Sequence, residues 1–239
     1  MEATGYTTLT RQAGLMREMQ VVANNIANAA TTGFRQEGLV FAEYVQRLEG
    51  APSLSMATAS VRNTSMLQGG MTQTGGQLDL AIEGEGFFLI DTPAGERLTR
   101  AGSFALSAEG DLVTQDGFRV LDAGGAPVFV PPNVTALGIA ADGTMSADGR
   151  PLSQIGLVVP NEAIDLIRED GVMFRTEGGY QPAEAGRVLQ GYLEGANVDP
   201  VGQIARMIEV QRAYEMGQSF LDAENERVKT ALQTLIRSR

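Results

Sequence analysis

The sequence predicts a mainly β central domain, antiparallel, small and barrel-like with hairpins, flanked by N- and C-terminal α-helices that pair in a coiled-coil-like manner. Three observations carry this reading. Apolar residues recur at heptad spacing near both ends, the middle is cut into short apolar runs by Asp-Gly and Gly-Gly pairs, and a Ser/Ala/Thr/Met-rich stretch separates the two textures. The expected divisions are residues 1–33, an N-terminal assembly helix; 34–77, a connector; 78–198, the central β domain; and 199–239, a C-terminal assembly helix.

The first helix is read over residues 6–32, where Leu9, Met16 and Ala23 form one heptad series and Gln12, Met19 and Ile26 the other. Gly33 is the expected stop, because glycine takes the left-handed conformation that closes a helix. Ala23, Ala27, Ala29 and Ala30 make a small face interspersed with Asn24, Asn25 and Asn28, and asparagine is a weak helix former. Such a helix is marginal without a partner. In the connector, Leu39-Val40-Phe41 and Tyr44-Val45 are apolar, and the segment from Ala51 to Gly76 reads as extended or mobile.

From Leu78 onward the runs shorten. Leu78-Asp79-Leu80-Ala81-Ile82 alternates, Phe87-Phe88-Leu89-Ile90 is continuous and reads as a buried strand, and Phe118-Arg119-Val120-Leu121 follows the Asp116-Gly117 turn. Further turns are expected at Gly124-Gly125, Asp142-Gly143, Asp148-Gly149 and Gly178-Gly179, with Pro131-Pro132 breaking any regular element. At the C-terminal end, Met207, Tyr214, Leu221, Val228 and Leu235 recur every seven residues beside a mostly amide series, Ile204, Gln211, Gln218, Asn225 and Leu232. Asp199 is the expected N-cap of this helix and Pro200 its first residue, where a missing N–H costs nothing.

Composition removes several function classes. A net charge of −11 opposes phosphate binding, so no nucleic-acid partner is expected. The chain has neither cysteine nor histidine, which excludes disulfides, thiolate chemistry, His-centred acid/base catalysis and the usual zinc sites. The first residues lack the basic, then apolar, pattern of a cleaved secretory signal, and no apolar run approaches the roughly 20 residues of a spanning helix, so no membrane insertion is expected. Gly84-x-Gly86 has Leu89 where a dinucleotide fingerprint needs its third glycine, and the Asp-Gly pairs lack the alternating acidic ligands of a calcium loop. No catalytic, cofactor-binding or metal residue is assigned, and no small-molecule substrate. With 29 acidic residues, a carboxylate pair in a carbohydrate-active β domain is the alternative from a different class.

Several stretches resemble one family. Val22-Ala23-Asn24-Asn25-Ile26-Ala27-Asn28-Ala29-Ala30-Thr31-Thr32-Gly33-Phe34-Arg35 resembles the N-terminal signature of flagellar rod and hook proteins. Asp79 to Phe88 and Leu98-Thr99-Arg100-Ala101-Gly102-Ser103-Phe104 resemble the family's first β elements. Gln190 to Val201 and Met207 to Glu215 are similar to its C-terminal signature. The matches are collinear and reach both ends; the short length and compact middle resemble the proximal-rod branch, with the distal-rod branch close behind.

The resemblance implies a structural subunit of the basal-body rod, crossing the periplasm, exported by the flagellar type III apparatus and packed against other rod and hook subunits. Under that reading Leu9, Met16, Met19, Ile26, Met207, Tyr214, Leu221 and Val228 are the expected apolar seam of the assembly interface. Asn24, Asn25, Asn28, Gln211 and Asn225 are its expected register-setting amides.

Overall fold

The structure, a computed structural model, describes residues 2–46, 54–162 and 165–237. The chain forms two compact units. One comprises Met1–Ala27, Glu37–Asn63 and Asp199–Arg239, the other Asn28–Gln36 and Thr64–Val198.

The first unit holds helix α1 (Glu2–Ala27), strands β1 (Glu37–Gln46) and β2 (Leu54–Thr64), and helix α2 (Pro200–Arg237). β1 and β2 pair as a two-stranded sheet, so part of the expected connector is regular structure; its residues 47–53 lie outside the described residues. α1 is shorter than the heptad reading implied, ending at Ala27 and not at Gly33. Beyond it the polar side chains bond locally: Thr31 Oγ1 donates to Asn28 Oδ1 (3.2 Å) and the Thr31 amide to the Asn28 carbonyl (3.0 Å). Asn and Thr thus offer the backbone an alternative to helix. The start of α2 follows the sequence reading, with Asp199 Oδ1 accepting from the Val201 amide at 3.1 Å.

The second unit is antiparallel β throughout. Its largest sheet runs in the order β14 (Leu166–Arg168), β15 (Met173–Thr176), β6 (Gly95–Thr99), β5 (Phe87–Thr92), β9 (Arg119–Val120), β8 (Leu112–Thr114) and β7 (Phe104–Leu106). β13 (Leu157–Pro160) adds to β5 and carries β16 (Tyr180–Pro182). A three-stranded sheet joins β10 (Leu137–Ile139), β11 (Thr144–Ala147) and β12 (Arg150–Gln154). Two ribbons pair β17 (Arg187–Gln190) with β4 (Leu80–Glu83) and β18 (Tyr192–Glu194) with β3 (Met71–Gln73). Among the described residues no sheet closes into a barrel, which corrects the barrel-like expectation: β7 and β14 stand at opposite ends of the path. Strands this short, several of them followed by glycine turns, carry little ladder with which to close a barrel.

The turns fall where Asp-Gly and Gly-Gly pairs placed them. Asp148 (φ 49°) and Gly149 (φ 79°) both take the left-handed region in the two-residue loop between β11 and β12, the conformation a tight hairpin turn demands. β5 is the central strand, and alternate residues point to opposite faces. Phe88 and Ile90 enter a core with Leu80, Ile82, Phe104 and Leu112, while Phe87 and Leu89 enter a second with Leu98, Val158 and Phe174. Burial on both faces explains why this strand is a continuous apolar run. Edge-to-face ring pairs, Phe88 with Phe104 and Phe87 with Phe174, lie in each core. Phe88→Ala is expected to cost about 3–5 kcal/mol of stability, measured as a lowered urea midpoint with the slope unchanged.

Candidate assembly interface

α1 and α2 run about 39 Å and 57 Å at 1.5 Å per residue. Their facing pairs show them to be antiparallel. Gln12 Nε2 donates to the Tyr214 carbonyl (2.9 Å), Arg206 Nε to Glu18 Oε1 (2.7 Å) and Asn25 Nδ2 to Gln203 Oε1 (3.2 Å). Val21, Val22 and Val210 are buried in this unit. Close approach is allowed by Gly217, where a Cβ would stand 2.3 Å from Gln12 Nε2. Asn25 is fully engaged as well as buried, accepting from the Glu37 amide (3.0 Å) and donating to the Glu37 carbonyl (2.8 Å). Replacing its amide by an apolar group would orphan those buried partners.

The expected seam residues do not share one environment. Met19 and Ile26 are half-buried, as are Met207, Tyr214 and Leu221, whereas Leu9, Met16 and Val228 are exposed. Of the expected amides, Asn25 is buried and Asn24 and Asn28 are half-buried; Gln211, bonded to Glu215 at 3.0 Å, and Asn225 are exposed. A seven-residue count names positions on two faces of α1 at once, and only the packed partner separates them.

The β unit contains a cluster that sequence reasoning missed. Glu194, on β18, is 1% exposed and lies between Arg35 and Arg100, 1% and 2% exposed. Arg35 Nη2 stands 3.1 Å from its Oε1 and Arg100 Nη1 3.2 Å from its Oε2. The carboxylate also accepts from the Gly69 amide (2.9 Å), and the Glu194 carbonyl accepts from the Gly33 amide (2.7 Å). Gly33 takes φ +70° here, and a Cβ would meet the Ala101 amide nitrogen at 2.3 Å, so its glycine serves this docking and not a helix stop. Arg100 donates further to the Ile82 (3.0 Å) and Gly84 (2.6 Å) carbonyls, and Arg35 to the Leu67 carbonyl. Arg168 is held between two rings, 4.4 Å from the Phe34 centroid and 4.6 Å from that of Phe174, and donates to the Arg35 carbonyl.

Electrostatically, one carboxylate faces two cations in a dry site. Burial lowers the pKa of both arginines, that of Arg100 to about 10, with Glu194 opposing the shift in each case. The desolvation of the pair therefore exceeds what Glu194 returns, which makes the carboxylate indispensable to both. A signal existed in the sequence: Arg35 closes the N-terminal signature and Glu194 lies inside the C-terminal one. Nothing in one dimension, however, pairs residues so far apart.

Comparison with known proteins resolves what these segments are. Residues 6–35 match the family model for flagella basal body rod proteins, residues 81–147 that for the flagellar hook protein FlgE/F/G D1 domain, and residues 189–234 that for the flagellar basal body rod FlgEFG protein C-terminal region. The flagellar basal-body rod protein FlgF of Caulobacter vibrioides is 40% identical, with 98% of each chain covered. The chain belongs to the flagellar basal-body rod protein family. The FlgF protein of Rhizobium meliloti is 31% identical over the full length of both chains, and the FlgG protein of Bacillus subtilis 30% identical over 92% of this chain and 94% of that one. Each of the three family segments supplies one member of the buried cluster: Arg35, Arg100 and Glu194.

Glu194→Ala is expected to lose about 3–5 kcal/mol, because it strands two buried guanidinium groups. Glu194→Gln, which keeps the shape, should recover only part of that loss in the same denaturation measurement.

Proposed function

We propose that this chain is a structural, non-catalytic subunit of the flagellar basal-body rod, joined through its terminal helices to other rod and hook-family subunits in an axial tube. The end-to-end similarity to FlgF proteins is the observation that carries this reading. The 40% identity to one FlgF, against 30–32% for the FlgG proteins of Bacillus subtilis and Agrobacterium fabrum, favours the proximal rod over the distal rod. Export through the flagellar type III apparatus belongs to the same proposal.

The physical demands of a rod agree with this chain. A tube grows only from contacts that do not close on themselves, which requires two different surfaces per subunit. Exposed Leu9 and Met16 on one helix and Val228 on the other offer such surfaces. The surplus of acidic residues keeps a subunit of this kind soluble before it is incorporated. A glycosidase-like site would need a carboxylic acid with a raised pKa. Among the described residues, the displaced carboxyl groups, Asp142, Glu169 and Glu224, are lowered, first by hydrogen bonds from Thr144, Arg97 and Arg227 respectively.

Electron cryo-microscopy of basal bodies carrying a tag in the β unit should place its density in the proximal rod; density in the distal rod would change the branch, and absence from the rod would sink the proposal. Tyr214→Ala and Leu221→Ala should each lower incorporation into basal bodies, consistent with losses of about 2–5 kcal/mol for truncating a packed apolar side chain. Unchanged incorporation by both would remove the helices from the assembly mechanism.

A further inference from the structure

We infer that residues 33–36, 65–70 and 194–197 form a cuff that opens and closes as one cooperative unit while strands β5 to β16 stay folded, a built-in release for the points where the chain leaves the β unit. The inference stands on the β unit alone and goes beyond the rod-subunit reading.

It begins from the partners of the amides in these three segments. The Gly33 amide donates to the Glu194 carbonyl (2.7 Å), the Gln36 amide to Asn197 Oδ1 (2.5 Å) and the Asn197 amide to the Phe34 carbonyl (3.2 Å), which ties the first segment to the third. The Ser65 amide donates to the Gln36 carbonyl (2.8 Å) and ties the second to the first. The Gly69 amide donates to Glu194 Oε1 (2.9 Å) and the Gly195 amide to the Gly70 carbonyl (2.8 Å), which ties the second to the third. Side chains follow the same pattern: the Leu67 carbonyl accepts from Arg35 and from Asn197 Nδ2, and the Ser65 carbonyl from Asn197 Nδ2 as well. Each segment therefore bonds both others, and freeing any one leaves the remaining two short of partners.

Hydrophobic burial separates this cuff from the sheet. Among its described residues Phe34 is the one large apolar side chain that is buried, whereas Met66 and Leu67 are 41% and 76% exposed. β5 by itself places Phe87, Phe88, Leu89 and Ile90 in the two cores. A region held by polar bonds over little buried apolar surface opens at a lower free energy than the whole fold. The charges favour the same opening, because Arg35, Arg100 and Glu194 regain water when the cuff parts.

Position gives this opening a consequence. The chain passes between its two compact units after Ala27, Gln36, Asn63 and Val198, and the last three passages lie within two residues of the cuff. With the cuff closed, those exits are fixed to one another. With it open, each gains about 13–20 Å of slack chain, and no strand from β5 to β16 is broken.

Amide-resolved hydrogen exchange by NMR on the full free chain tests the cuff, with one substitution at each of two places in it. Asn197→Ala removes the side-chain bonds to Gln36, Ser65 and Leu67. Gly69→Ala wedges the second segment from the third, since a Cβ there would stand 2.1 Å from the Gly195 carbonyl oxygen. Asn197→Ala is expected to speed exchange about tenfold at Gly33, Gly69 and Gly195, amides that its side chain does not touch. Gly69→Ala should likewise speed exchange at Gly33, Gln36 and Asn197. Leu89, Leu121 and Val128, whose amides bond the Gly156, Leu89 and Val120 carbonyls, should keep their original rates. Acceleration confined to the bonds that each substitution removes, or shared equally by Leu89, Leu121 and Val128, would overturn the inference. The unaltered chain supplies a check that does not depend on either variant folding: in rising urea the cuff amides should merge onto one exchange isotherm lying below that of the sheet amides. Separate isotherms within the cuff, or a single one common to cuff and sheet, would overturn it as well.

Discussion

Glu194 is closed off from water between two guanidinium groups, and much of the β unit's organisation converges on it. Its carboxylate meets Arg35 and Arg100, its carbonyl receives the Gly33 amide, and its side chain also receives the Gly69 amide. Three separate stretches of chain, around residues 33–35, 69 and 100, are thereby brought to one residue. Burying ions in this way contributes little net stability over a well-packed apolar cluster, since desolvation consumes most of the attraction. What it confers is dependence: neither buried guanidinium is tolerable without the carboxylate. The arginines' lowered pKa expresses the same imbalance.

This cluster gives a physical meaning to the family's three separate sequence segments. The N-terminal segment ends on Arg35, the D1 segment contains Arg100, and the C-terminal segment contains Glu194. Around them, Arg168 lies between the rings of Phe34 and Phe174, and Asn197 bonds the Gln36 amide at 2.5 Å and the Leu67 carbonyl at 2.6 Å. The residues that follow the first helix and those that precede the last are consequently built into the β unit as fixed parts.

The helix pair works by a different principle. Its interior is small and partly polar: valines, Gly217 with the Gln12 amide against it, and the fully bonded Asn25. Such packing sets a register more sharply than it supplies stability, and it leaves apolar side chains over for other contacts.

Much of this was legible in the sequence because it depends on local rules. Heptad spacing marked both helices, Asp199-Pro200 marked the start of the second, and Asp-Gly and Gly-Gly pairs marked the turns, since positive φ is a property of the residue itself. The continuous run Phe87 to Ile90 announced a strand buried on both faces. Family membership was written in contiguous motifs. Tertiary structure decided the rest, for reasons that no local rule contains. Gly33 looked like a helix stop, yet the backbone of Ala101 is what leaves no room for a Cβ there. Leu9 and Met19 looked like members of one seam, yet the position of α2 exposes the first and half-covers the second. Among the described residues the sheets of the expected barrel-like domain stayed open, and Arg35 found Glu194 across most of the chain's length. Backbone conformation is an intrinsic property of short segments and can be read from them, whereas burial and charge pairing are properties of what surrounds a residue, and those surroundings exist only once the chain has folded.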